Sequence, residues 1–253
     1  MERAPDDWWR TYFEGAATEV FRRVFAAKAP ADAATIEKVL ALTSPCRVLD
    51  VPCGHGRIAI ELAARGHTVT GLDFSSSEIA RAQGTARERG LEVDFRLGDM
   101  RRDIPPGAFD AAACFGHSFG YFDDDDDNLG FLRAVYGALR PGGGFAMENA
   151  FCMESYLPRA SERPSWSRVD QFYLLQRETF DPERGRLDIE HTYVTPETGG
   201  VDVRRVSCRM YTYREIVSLL RSSGFEDVRG LDAAGDAPFR VGGHLLIVAR
   251  RPS

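Results

Sequence analysis

Residues 46–74 read CRVLDVPCGHGRIAIELAARGHTVTGLDF, and the rest of the chain is organised around them. The apolar run Val48, Leu49, Val51 ends at a tight Gly54-His55-Gly56 turn. Ile58, Ile60 and Leu62 then lead into a helical stretch bounded by Gly66, and residues 69–72 form a second apolar run closed by Asp73. The order is strand, glycine turn, helix, strand, acid. Only glycine's missing side chain lets a ligand approach the backbone where a strand meets a helix N-terminus, and an acid ending the next strand can hold both hydroxyls of a ribose. The stretch therefore reads as a cofactor site.

A dinucleotide fingerprint is G-x-G-x-x-G, with its amides facing a pyrophosphate. Here the pattern is Gly54-His55-Gly56-Arg57-Ile58-Ala59, with Asp50 four residues before the first glycine. A carboxylate beside the loop repels pyrophosphate and suits a cationic ligand carrying an amino group. The segment resembles motif I, and the acidic strand end after it, of the class I methyltransferases dependent on S-adenosylmethionine (SAM). The alternative is a Rossmann-type turn of another nucleotide enzyme.

The resemblance implies that the loop Asp50, Pro52, Cys53, Gly54, Gly56 and Arg57 approaches the amino-acid part of SAM. It also implies that Asp73 binds the ribose with Phe74 and Ser75 following it, Phe74 against adenine, and that S-adenosylhomocysteine is the product. Many members carry a third glycine where this chain has Pro52. The fold implied is Rossmann-like α/β: a mostly parallel seven-stranded sheet with helices on both faces, an antiparallel last strand and a small antiparallel β insertion.

With 253 residues, 43% of them hydrophobic, the chain can bury a sizeable core. Its net charge of −6 disfavours a nucleic-acid substrate, because phosphate binding runs through lysine and arginine. Five cysteines (Cys46, Cys53, Cys114, Cys152, Cys208) show no CxxC spacing, and no apolar stretch is long enough to span a bilayer. With no signal-like N-terminus, a cytoplasmic location is expected. Cys53 is read as a small residue in a tight turn rather than a nucleophile.

Taken in order, residues 6–14 (DDWWRTYFE) form an aromatic cluster in which helical spacing puts Trp9, Tyr12 and Phe13 on one face, with Asp6 or Asp7 as N-cap. Val20, Val24 and Phe25 mark a second helix. Ile36, Val39, Leu40 and Leu42 mark a third, stopped by Ser44-Pro45. These helices either wall an acceptor pocket with Trp8, Trp9, Tyr12 and Phe13 or pack on the sheet. Ser75 to Glu78 cap a helix reaching Arg89, and residues 91–97 (LEVDFRL) alternate as a strand. By resemblance, Asp99 faces the adenine amino group with Met100 beside it.

Residues 109–115 are the fourth strand, and Phe115, Gly116, His117, Ser118, Phe119 and Tyr121 follow at the carboxyl end, where open parallel sheets bind ligands. The resemblance places this loop beside the methyl group and the acceptor. The aspartate run 123–127 lacks the spaced pattern of a calcium loop and is read as a helix N-terminus, not a metal site. The turn Arg140-Pro141-Gly142-Gly143-Gly144 breaks the chain before a strand ending in Glu148 and Asn149, which either position an acceptor or cap the next segment.

Three antiparallel strands are predicted at 171–180, 186–194 and 201–210. They form an insertion that is a lid, a substrate wall or a subunit interface, giving a possible homo-oligomer. Tyr156, Trp166, Tyr173, Glu190, His191 and Arg209 are its polar or aromatic candidates. A helix at 213–222 and strands at 225–231 and 244–249 complete the core as an edge hairpin. The expected domains are a helical cap (1–45), a SAM-binding core (46–151 and 211–253) and the insertion (152–210).

Function follows from these pieces as expectation. Methyl transfer is an in-line displacement that depends on aligning a lone pair and excluding water. His117 is the candidate base, or else a residue that hydrogen-bonds the loop or SAM. Tyr12 and Tyr121 are candidates for hydroxyls or for ring faces that attract a methylated ammonium. The substrate-binding set is Trp9, Tyr12, Phe13, Phe119, Tyr121, Glu148, Asn149, Tyr173 and His191. The expected reaction methylates nitrogen or oxygen of a small molecule, as in tailoring steps of antibiotic biosynthesis. The alternatives are a carbon acceptor, an RNA base, a non-catalytic SAM-binding protein and an NAD-dependent oxidoreductase.

Overall fold

The chain was analysed as a computed structural model that describes every residue except Met1, Ser44, Ala108 and 161–163. Seven strands form one sheet in the order β10-β11-β5-β4-β1-β2-β3: β1 (Arg47–Asp50), β2 (Thr68–Asp73), β3 (Asp94–Leu97), β4 (Phe109–Cys114), β5 (Leu139–Asn149), β10 (Glu226–Leu231) and β11 (Leu245–Arg250). β1 to β5 pair in parallel, while β11 runs antiparallel to both β5 and β10. The central strands are continuous apolar runs because both faces are covered. The chain moves outward from β1 to β3 on one side and from β4 onward on the other, so the topological switch lies between β1 and β4.

One face is covered by α3 (Ala29–Leu40), α4 (Arg57–Ala64) and α5 (Ser76–Glu88), whose Ile36, Ile58, Leu62 and Ala82 share a core with Val48, Ala113 and Ala146. Phe145, adjacent to Ala146 and therefore pointing the other way, meets Phe131 of α6 (Asp125–Ala138) and Phe225 just after α8 (Tyr213–Ser222). A short helix α7 (Met153–Tyr156) and a 3-10 turn (Leu157–Arg159) follow β5.

By its contacts the chain divides into two units. The larger comprises 28–119, 124–158 and 211–253, and the smaller comprises 1–27, 120–123 and 159–210. The smaller holds α1 (Trp9–Tyr12), α2 (Gly15–Ala26) and a four-stranded antiparallel sheet of β6 (Ser165–Val169), β7 (Phe172–Asp181), β8 (Arg186–Thr195) and β9 (Gly200–Arg209). Ala17 and Val20 of α2 pack on Phe172 and Tyr193 of this sheet. The helices expected to form one cap are thus split, because α3 buries Ala33, Ile36 and Leu40 in the large core.

Several local expectations are corrected. The insertion has four strands, not three. The fifth core strand starts at Leu139 rather than after the glycines, with a register shift between Phe109 and Ala111 of β4 absorbing residues 140–143. β3 covers only the second half of the alternating 91–97 stretch. α1 is four residues long with Trp8 at its N-cap and no side-chain cap, since Asp6 accepts from Arg3 instead. α3 ends at Leu40, where Ala41 turns left-handed, short of the expected stop, whose Ser44 lies outside the described residues. Among the described residues no helix is long and apolar enough to cross a membrane.

Candidate functional site

The large unit gathers acids and glycines at the carboxyl ends of β1, β2 and β4, beside the switch point. Asp50 ends β1 fully buried, and its Oδ2 accepts the Ala59 N–H at 3.0 Å, anchoring the first turn of α4. Burial lifts its carboxyl to about 7, against the pull of the Arg57 guanidinium and with the push of Asp73. Between them, Gly54 and Gly56 take φ of +51° and +81°. A Cβ on Gly54 meets nothing closer than Glu78 Oε2 at 4.0 Å, so open space lies beside this backbone. A Cβ on Gly56 would come within 2.7 Å of the Phe95 ring.

Asp73 ties the loop to β2: its Oδ2 accepts the Gly54 N–H at 2.8 Å and its Oδ1 accepts the Ser75 N–H at 2.9 Å. Each oxygen has two lone pairs, so two acceptor positions are left for a pair of hydroxyls such as those of a ribose. With the open face at Gly54 and a buried carboxylate on either side, the residues fit a cationic nucleoside ligand. Phe74 is half-buried directly after Asp73, and Ser75 caps α5 by accepting the Glu78 N–H. The Val51–Pro52 bond is cis. Cys53 is buried and its thiol is pushed up by burial and by the nearby acids, which keeps it protonated.

Arg57, expected at the ligand, is held by Asp32 of α3 at 2.5 Å. Asp99 is gripped by Arg101, which donates to both carboxylate oxygens (Nη2 to Oδ2 at 2.6 Å) and also reaches Asp127 of α6 at 2.5 Å. Burial pushes the Asp99 carboxyl up, but the Arg101 bonds outweigh it and hold it below the usual range. Met100 beside it is buried. Four of the five aspartates have protein partners: Asp124 caps α6, Asp125 accepts from Tyr211 at 2.5 Å, Asp127 takes Arg101, and in the small unit Asp123 pairs with Arg186 at 3.4 Å.

After β4, Phe115 and Ser118 are buried, and the Gly116 N–H donates to Glu148 Oε2 at 3.2 Å. Glu148 also lies 3.5 Å from Lys28 Nζ. Burial raises its carboxyl, yet His117 and Lys28 draw it below the usual range. His117 adopts φ +66°, and its Nδ1 accepts the Ala150 N–H at 3.1 Å. The proton of the neutral ring therefore sits on Nε2, and His117 bonds the loop after β5, the second of the two roles expected for it. Burial also lowers its pKa, favouring that neutral form. Asn149 caps the following turn through the Phe151 N–H, and Phe119 is fully buried between Phe131 and Tyr211 as a core residue.

In the small unit Tyr12 is the centre of a second constellation. Its hydroxyl lies 2.8 Å from His191 Nδ1 and 2.9 Å from the Tyr193 hydroxyl. Trp8 packs edge-on against Tyr12 and Tyr121 at 5.7 and 4.8 Å, and Phe13 adjoins Tyr12 at 5.0 Å. Burial pushes the His191 imidazole down to about 4 and the Tyr12 phenol well up, so both are neutral near pH 7. Trp9 points elsewhere, onto Phe122 and under Arg10. Tyr173 pairs with Val194, so strand alternation puts it on the opposite face from Tyr193 and His191. The sequence reading missed Tyr193, although its position two residues after His191 on a strand places both on one face. It also missed Asp32, Arg101 and Lys28, whose roles depend on long-range packing.

Residues 48–143 match a family described as "Methyltransferase domain". The ubiquinone biosynthesis O-methyltransferase of Chromobacterium violaceum is 35% identical over 100 residues, 38% of this chain and 41% of that protein. The chain thus matches about two fifths of the length of this curated relative. Among solved structures, a SAM-dependent methyltransferase from Clostridium acetobutylicum superposes with a TM-score of 0.80 at 16% identity, covering 93% of this chain and 98% of the other. CalS10, an amino pentose methyltransferase of Micromonospora echinaspora involved in calicheamicin biosynthesis and solved with SAM bound, gives 0.72 at 21% identity over 94% and 97%. At these identities the structural likeness is one of fold. Residues 48–143 are thus a methyltransferase domain, with the glycine loop between two strand-end acids inside it, and the chain around it has the fold of these SAM-dependent methyltransferases.

Proposed function

We propose that the chain transfers the methyl group of SAM to a nitrogen or oxygen of a small organic molecule. The observation that carries this reading is the buried Asp73 carboxylate, which clamps the Gly54 and Ser75 amides and keeps two acceptor positions for a ribose, next to open space at Gly54 and the buried acid Asp50. The large unit is the donor domain. Asp50, Pro52, Cys53, Gly54 and Gly56 form the loop, Arg57 fixes α3 through Asp32, Phe74 and Met100 flank the base, and Phe115, Gly116 and Ser118 close the strand-end edge.

SAM, when bound, supplies an electrophilic methyl on a sulfonium. Asp50 favours a cation beside it, because a nearby positive charge restores its ionised form. Glu148 fixes the loop after β4 through Gly116, and His117 offers its Nε2–H to an acceptor oxygen. In the small unit, the chain Tyr193–Tyr12–His191 has two hydrogen-bond polarities. In one, His191 Nδ1–H donates to Tyr12, which donates to Tyr193, leaving His191 Nε2 as a hydrogen-bond acceptor. The aromatic surroundings of Tyr12, with Trp8, Phe13 and Tyr121, suit a compact organic acceptor. The name of the C. violaceum relative and that of CalS10 both point to small-molecule acceptors, which supports a tailoring role. Five unpaired cysteines fit a cytoplasmic setting.

Titration calorimetry with SAM, S-adenosylhomocysteine and NAD tests the donor, followed by methyl transfer from labelled SAM to amines, phenols and sugars with mass spectrometry of the products. Binding of the first two ligands, its loss in Asp73→Ala and labelled product from a small acceptor are expected. A protein that binds no SAM, or whose Asp73→Ala variant binds it unchanged, refutes the reading.

A further inference from the structure

Antiparallel pairing sorts the side chains of the small sheet onto two faces. One face carries Phe172, Leu187, Ile189, Tyr193 and Val206, all buried, with α2 packed on Phe172 and Tyr193. The other carries two rows in register across all four strands: Trp166, Leu175, Thr192 and Val203, and beside it Arg168, Tyr173, Val194 and Val201. This second face is open. Trp166 keeps 70% of its surface in water, Val201 63%, Val203 45% and Leu175 44%. These four side chains alone leave on the order of 400 Å² of apolar surface, the scale at which a patch on a soluble protein marks an interaction site. Trp166 lies 6.1 Å from the Tyr173 ring, and the Arg168 guanidinium sits over that ring at 5.7 Å. Trp, Tyr and Arg are the residues that dominate binding energy at protein interfaces.

A third row of the same face is charged: Arg177, Glu190 and Arg205. Glu190 pairs with Arg205 at 3.0 Å, while Arg177 has no carboxylate partner among the described residues.

We propose that this face binds a second copy of the chain about a two-fold axis parallel to the strands, between β7 and β8. Such an axis exchanges β6 with β9 and β7 with β8 while keeping every row opposite itself. Trp166 then meets Val203 of the second copy, Leu175 meets Thr192, and Tyr173 meets Val194, large against small in each case. In the charged row Arg177 meets Glu190, twice per dimer, so the face is complementary to itself in charge as well as in shape. Sheets packed face to face keep their mean strand directions within about 30° of each other, and this axis aligns them. The two apolar rows with their charged border approach the ~800 Å² per partner of a standard interface. The inference is independent of the donor and acceptor assignments.

Sedimentation velocity on the full chain at tens of micromolar tests it. The wild type is expected as a dimer. Arg177→Glu and Glu190→Arg each place like charges opposite one another and are expected as monomers, as is Trp166→Ser. An equimolar mixture of the two charge variants restores both contacts and is expected to sediment as a heterodimer. Circular dichroism melting confirms that each variant is folded, and Trp166→Ser, at an exposed position, serves if a charge variant is not. A monomeric wild type, a dimer indifferent to these substitutions, or folded charge variants that stay monomeric when mixed overturns the proposal.

Discussion

Asp50 shows how a site residue can be held at the expense of the fold. Its carboxyl, ordinarily at 3.8, titrates at about 7 in the folded chain because burial strips its water. A raised carboxyl means that the folded state binds the proton more tightly than the unfolded state between those two values. The contribution to stability is therefore full below about pH 4, falls as pH rises, and is lost above about 7. Asp50→Asn keeps an oxygen for the Ala59 N–H and removes the titration. The variant is expected to be more stable than wild type at about pH 8 by a few kcal/mol, and the difference should close near pH 4. Its affinity for SAM should fall at least tenfold. Urea melts at the two pH values, with calorimetry, check both. Equal stabilities at pH 8 would show that Asp50 is not a strained anion.

The elements around Asp50 were legible in the sequence for a simple reason. β1, β2 and β4 are covered on both faces, so they appear as unbroken apolar runs, and the glycines between β1 and α4 appear where the backbone must turn left-handed. Gly56 tests this at the scale of the element, since it is both the N-cap of α4 and the point where Phe95 of β3 closes on the loop. Gly56→Ala combines φ +81° with a contact of 2.7 Å and is expected to cost roughly 2–4 kcal/mol and to abolish SAM binding. Gly84→Ala, in the middle of α5 with nothing within 4 Å, is the control and is expected to stabilise by about 0.5–1 kcal/mol in the same urea titration. Equal effects of the two substitutions would contradict the left-handed turn.

What escaped the sequence reading lacked such a pattern. β6 (SWSRV) is an edge strand with Ser165 and Ser167 on its inner side and Trp166 facing water, so Val169 alone marks its apolar face. The grip of Arg101 on Asp99 and Asp127, and of Asp32 on Arg57, joins residues that only the tertiary fold makes neighbours. His117 was legible as a residue of the loop after β4, but its role was not, because the backbone N–H that occupies Nδ1 comes from Ala150 on another strand's end.

At the scale of the whole molecule, the groups that fit the donor all lie in the large unit. In the large unit one carboxylate, Asp73, holds the amides of Gly54 and Ser75, which lie on two different loops, and Glu148 holds the amide of Gly116 on a third. A ligand bound to Asp73 must stiffen the first two loops together, because either amide can open only by releasing the shared acceptor. At a hundredfold excess over its Kd, SAM is expected to stabilise the folded chain by about 2.7 kcal/mol. Hydrogen exchange should then slow at Gly54 and Ser75 by the same factor, and more weakly at Gly116. If SAM raised the melting temperature while exchange at Gly54 and Ser75 stayed unchanged, the donor would be bound away from the glycine loop.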